Sequence, residues 1–299
     1  MTAAAGLGLS DEDLPGLFGA ADAASLEGQS RYLGTTRLRL WLAIAAAACG
    51  VFPVKVGQID LAAIATALAL VGVVLTEVGL RTDKPEERWY DGRTLAESAK
   101  SLGWRFSVGA TPFPCGGDEN ATEQRFTRQL RQLLADAPVT SISPPDRGAI
   151  TEGMRRLRAA DLATRRACYL EHRVDDQQRW YARKAIDSER QARHWQTGLF
   201  VIEGVGIAAA LARAVGYVQL DLAGVVAALI AAGGAWSGMR QLSTLARAYT
   251  FAANDLAIVR DSLQGASTES SWADEVADAE DAVSREHTMW RASRSRAAE

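Results

Sequence analysis

The sequence predicts an all-α, multi-pass membrane protein: two transmembrane helical hairpins joined by a long-helix cytoplasmic bundle. Three observations lead there. The apolar residues, 48% of the chain, are gathered into four blocks, while the segments between them carry nearly all the charge. Lys and Arg crowd the outer ends of the paired blocks, at Arg37, Arg39, Arg81, Lys84, Arg193 and Arg240 among others, whereas the two intervening turns hold only Lys55 and Arg213. No segment alternates polar and apolar residues as a half-buried strand would.

Residues 1–20, "MTAAAGLGLSDEDLPGLFGA", lack a basic stretch ahead of an apolar one and are expected to be a flexible or loosely docked tail rather than a cleaved signal. The first unit, residues 21–136, contains Leu40–Val54 and Ile59–Thr76, the latter with its single charge, Asp60, at the entrance. Residues 137–148, with "SISPPDR", form a linker. The second unit, residues 149–265, contains Trp195–Ala212, with Glu203 inside it, and the uncharged Leu222–Met239. The blocks are short against the roughly 17 to 25 residues that span a bilayer and reach that length by including flanking Trp, Tyr and Arg, with Trp41, Trp195 and Tyr217 as interface anchors. A soluble bundle of buried helices is the competing reading, and the charge placement weighs against it.

The hairpins echo each other. "IDLAAIATALALVG" (Ile59 to Gly72) laid without gaps on "LDLAGVVAALIAAG" (Leu220 to Gly233) gives six identities in fourteen, which points to a two-span unit used twice. Small residues recur in helix-packing pairs, Ala46 with Gly50 and Gly234 with Gly238, either to pack helices of one chain or to form a seam between copies.

Between the hairpins, Leu95, Ala99, Leu102 and Phe106 share one face of a helix expected to continue from the second span. Asn120 with Glu123 marks the start of a short helix carrying Phe126, Leu130, Leu133 and Leu134. From about Ala149 one long helix is expected to run through Met154, Leu157 and Tyr169 into the third span. Residues 266–299 hold a C-terminal amphipathic helix and tail, expected to begin near Ser271 with Asp274 as capping partner. Its acidic side, Asp274, Glu275, Asp278, Glu280 and Asp281, is expected to be a solvated face.

Chemistry is scarce. Cys49, Cys115 and Cys168 have no paired spacing, and His172, His194 and His287 have no metal-ligand spacing, so neither a disulfide framework nor a metal site is expected. There is no phosphate-cradling loop, nucleophile elbow or placed carboxylate pair, so no enzyme and no cofactor are expected. A net charge of −3 speaks against nucleic acid as a partner. The charge that asks for a function is Glu203, roughly 12 Å along the helix from Trp195. A carboxylate there either sits in a hydrated vestibule or pairs with an arginine, or it lines an ion path. Glu77, near the end of the second span, is its weaker companion, and rings of such carboxylates around an axis would favour cations.

One aromatic pattern occurs twice. Arg88, Trp89 and Tyr90 are followed by Trp104, and Arg179, Trp180 and Tyr181 by Trp195, each Trp fourteen residues after its Tyr. The first copy follows a span pair and the second precedes one, so both are expected to be amphipathic cytoplasmic helices that pack through Trp and Tyr against each other or the lipid boundary. The stretches "RWYDGRTLAESAKSLGWRFSVGATPF" (Arg88 to Phe113) and "YLEHRVDDQQRWYARKA" (Tyr169 to Ala185), each beside a hairpin, resemble the SLATT family, the SMODS- and SLOG-associating two-transmembrane effector domains, here as a tandem of two. The Lys and Arg asymmetry across the hairpins predicts that both termini are cytoplasmic, and the resemblance implies a bacterial effector in the cytoplasmic membrane that forms homo-oligomeric pores in defence or cell-suicide systems. It supplies no catalytic residues. No sensor domain is recognisable here, so the trigger is expected to come from a separate nucleotide-sensing or trigger protein or from a direct physical stimulus. The alternative from another class is a non-conducting scaffold whose cytoplasmic bundle recruits partner proteins.

Overall fold

The structure, a computed structural model, describes residues 8–51, 54–137, 142–217 and 222–295, with side chains as far as Val283 in the last helix. The described residues are almost wholly helical: α1 (Gly16–Val51), α2 (Leu61–Asp83), α3 (Pro85–Val108), α4 (Glu119–Asp136), α5 (Glu152–Arg158), α6 (Leu162–Tyr169), α7 (Asp176–Ala214), α8 (Ala223–Arg240), α9 (Leu242–Gly265) and α10 (Glu269–Ser295). A two-residue ladder, Lys55–Val56 against Ile59–Asp60, closes the turn before α2 around Gly57 at φ 62°. It is too short to leave an alternating pattern in the sequence.

Local chemistry sets the helix ends, and several differ from the sequence expectation. Asp60 starts α2 by accepting the amides of Ala62 and Ala63 at 3.0 and 3.2 Å. That helix does not run on into α3: Lys84 turns left-handed at φ 44°, ahead of Pro85, which disfavours a helical residue before it. Asp118, not Asn120, caps α4, taking the amides of Asn120 and Ala121. The long helix expected from Ala149 is broken into pieces. Thr151 caps α5, and Asp161 accepts the Thr164 amide at 2.7 Å, so a fresh helix begins there. A π-helical turn, Leu170–Asp175, then joins α6 to α7. In α10, Thr268 Oγ1 accepts the Ser271 amide and the helix begins at Glu269, while Asp274 accepts a hydrogen bond from Thr111 Oγ1 instead of capping.

The chain divides into two compact units, each assembled from separated stretches. The first comprises Met1–Gln29, Glu86–Arg183 and Tyr249–Glu299. It holds a conventional core, in which Trp104, Phe106, Phe113, Phe126, Met154, Leu157, Tyr169 and Trp272 are buried. Phe106, Phe113 and Phe126 touch one another at centroid separations of 4.8 to 5.9 Å. Leu14, Leu17 and Phe18 are also buried, so part of the segment expected to be a loose tail is core, Leu17 and Phe18 on the first turn of α1 and Leu14 just ahead of it. The C-terminal carbonyls of α3, which a helix cannot satisfy itself, receive side-chain donors: Arg158 to Phe106, and both Arg165 and the Trp272 indole to Val108.

The second unit, Ser30–Pro85 with Lys184–Ala248, has few buried large side chains. Instead Leu68, Val71, Leu75 and Val78 of α2 and Phe200, Val205, Ile207 and Leu211 of α7 face outward. A soluble bundle would bury such residues, and exposed apolar surface on this scale marks a lipid or protein contact. Three helical stretches, Leu61–Val108, Leu162–Ala214 and Ala223–Gly265, are long and apolar enough to cross a membrane, and of their most apolar windows 11%, 0% and 11% is buried. The protein is thus all-α and multi-pass. The first apolar block, at the end of α1, is not among the three. From Leu40 to Val51 it offers only roughly 18 Å of described helix beyond Arg37 and Arg39.

Candidate functional site

Within the second unit, the paired helices approach closely at equivalent points. A side chain at Gly72 would bring its Cβ within 2.9 Å of Leu42 of α1, and one at Gly233 within 2.7 Å of Leu199 of α7. These two glycines are the last identity in the alignment of the hairpins, so the repeat is a packing repeat as well as a sequence one. Ala46 is buried beside α2, its carbonyl 3.4 Å from Thr66 Oγ1. Gly50, Gly234 and Gly238 face open space. The outward side of α8 is made of Ala223, Gly224, Ala227, Ala231, Gly234 and Gly238, small residues throughout, unlike the bulky aliphatic sides of α2 and α7.

The two carboxylates singled out from sequence have different surroundings. Glu77 lies between Arg39 of α1 and Arg81, which donates to it at 2.9 Å, so it clamps the first hairpin. Glu203 is exposed on α7, among Phe200, Val201, Val205 and Ile207, and no side chain among the described residues bonds to it. It stands about midway between Trp195 and Arg213 along the helix.

The aromatic motif divides three ways. Trp89 and Tyr90 stack at 4.9 Å on α3, half-buried, next to exposed Arg88. Trp180 and Tyr181 form a cluster with Tyr249 of α9 at 5.5 and 5.8 Å, with Arg179 outside it, paired to Asp176. Trp104 packs edge-on against Tyr169, and Tyr169 against Trp272, at 5.7 and 5.8 Å. The second Trp of the other copy, Trp195, belongs to the second unit and stands over Gly233.

Beneath those aromatics lies a feature that the sequence reading missed. Glu280, expected on a solvated face of α10, is fully buried. Its carboxylate accepts from Arg173 Nε and Nη2 at 2.9 and 2.7 Å, from Tyr169 at 2.9 Å and from Ser101 Oγ. Burial pushes its pKa up, but the Arg173 charge and the hydrogen bonds of Arg173, Ser101 and Tyr169 outweigh that and hold it below the ordinary carboxylate range. A partial signal was present: Arg158, Arg165, Tyr169 and Arg173 recur at intervals of seven and four in sequence and so ask for buried acceptors, although α5, α6 and the π-helical turn carry them on separate pieces. Among the described residues no three His, Cys, Asp or Glu side chains gather as metal ligands would.

Two family domains cover most of the chain. Residues 15–166 match the SMODS and SLOG-associating 2TM effector domain 3, and residues 169–290 match effector domain 1 of the same group. The chain belongs to the SLATT family. It is a tandem SLATT protein; among the described residues the second domain holds two helices long and apolar enough to cross a membrane, α7 and α8, and the first holds one, α2. By their description these are two-transmembrane effector domains, so the protein is a membrane-associated effector. Neither the curated proteins nor the solved structures yield a match to this one.

Proposed function

We propose that the protein is a non-enzymatic effector of the bacterial cytoplasmic membrane, with both termini cytoplasmic, whose copies assemble into an ion-conducting pore. The observation that carries this reading is Glu203. A carboxylate at the middle of a span costs roughly 3 kcal/mol in lipid, and Glu203 is exposed and has no side-chain partner among the described residues. Assembly with α7 towards an axis replaces lipid with water around it and forms a ring of negative charge that favours cations. The small-residue side of α8 supplies a surface on which a second copy can approach closely. Opening is controlled by a separate trigger protein or by a direct physical stimulus.

Ion flux from liposomes holding the purified protein tests the proposal. Glu203→Gln is expected to reduce cation over anion preference, and Gly234→Leu, which meets open space in the single chain, to lower the oligomer fraction without unfolding it. An assembled wild type that conducts under no stimulus would refute the pore and favour the scaffold.

A further inference from the structure

The second unit also contains a groove of about 540 Å³ that none of this uses, walled by α1, α7 and α8. Each helix presents the same sequence of chemistries along it. On α1 the order is Arg37, Trp41, Ile44; on α7 it is Gln191, Trp195, then Leu199 and Ile202. On α8, which runs the opposite way, it is Arg240, Trp236, Leu229. In all three the polar residue and the tryptophan are four positions apart, so the layers coincide: a polar mouth, a tryptophan belt about 6 Å deeper, and an aliphatic floor. From Arg240 to Leu229 the graded wall is roughly 16 Å long.

The guanidinium of Arg37 lies over the Trp236 ring at 5.0 Å and that of Arg240 at 5.8 Å, so both cations are held at the mouth by one indole. Arg37 has no carboxylate partner among the described residues. We propose that the groove binds one anionic phospholipid, its phosphate between Arg37 and Arg240, its glycerol and carbonyl region at the tryptophans and one acyl chain along Ile44, Ile202 and Leu229. Two cations above an apolar slot match an anionic headgroup on a hydrocarbon tail, and a zwitterionic lipid adds a cation that the mouth repels. The site needs only that this unit lies in a bilayer, and it stands whether or not the protein conducts.

Native mass spectrometry of the full-length protein in detergent, titrated with phosphatidylglycerol or with phosphatidylcholine of the same chains, tests it. Wild type is expected to prefer phosphatidylglycerol, and sn-glycerol 3-phosphate is expected not to displace it. The double variant Arg37→Gln, Arg240→Gln is expected to bind phosphatidylglycerol roughly 30-fold more weakly, about fivefold for each arginine. Gly198→Phe, at a groove position where an added Cβ meets nothing within 4 Å, is expected to exclude both lipids by filling the slot. Equal binding of the two lipids, displacement by glycerol phosphate, unchanged binding to Gly198→Phe, or an equal loss on Arg193→Gln outside the groove would each overturn the proposal.

Discussion

Replacing Glu280 by Ala should be among the most damaging single changes to the first unit. The carboxylate is fully buried and its partner Arg173 is 3% exposed, so the variant strands a guanidinium in the core beside the hydroxyls of Ser101 and Tyr169, which lose their acceptor. Breaking a buried pair from one side costs about 3 to 5 kcal/mol. For a unit of this size, each kcal/mol moves the melting temperature by roughly 2 to 4 °C, so the expected fall is roughly 6 to 20 °C. Tryptophan fluorescence during heating in detergent reads it, since Trp104 and Trp272 flank the network. The double variant Arg173→Met, Glu280→Leu removes both charges at similar volume and is expected to recover most of the loss. A Glu280→Ala protein that melts within about 2 °C of wild type, or a double variant as unstable as the single, would refute the buried pair.

Three further outcomes follow from the same geometry. Because the folded-state pKa of Glu280 is depressed, its contribution is full above the unfolded value of about 4.3 and lost as pH falls through the folded value; acid melting of wild type should steepen below about pH 4, and that of Glu280→Gln should lack this component. Gly233→Leu forces a side chain onto Leu199 and is expected to cost about 1 to 3 kcal/mol, whereas Gly238→Leu, facing open space, should leave the melting temperature of the single chain unchanged. Glu77→Ala releases Arg39 and Arg81, but with its side chain 36% exposed the clamp is worth no more than about 1 kcal/mol, read as a thermal shift of at most roughly 4 °C.

The helical class and the apolar blocks were legible in the sequence because composition and charge asymmetry are properties of whole segments. Helix ends were legible only in part. Asp60 stood out only as the lone charge at the entrance of an apolar run, its capping role coming with the structure, and Asp161 and Lys84 interrupt patterns that a helical periodicity passes over. The burial of Glu280 was invisible from α10 alone, since an acid on an acidic face is ordinary until an arginine from a distant stretch meets it. Glu203 was found because a lone carboxylate stands out in an apolar span. The groove was not, as its three layers come from helices far apart in sequence.

The burial of Trp272 and Glu280 also imposes an order on biosynthesis. Helix α10 is translated after both apolar hairpins have emerged, yet it carries the counter-charge for Arg173 and the indole that closes the end of α3. Until the ribosome has passed Glu280, the nascent chain can enter the bilayer but holds an unneutralised arginine where its core should be. A chain ending before Glu280 would therefore leave Arg173, Tyr169 and Ser101 without their shared acceptor and this core unclosed.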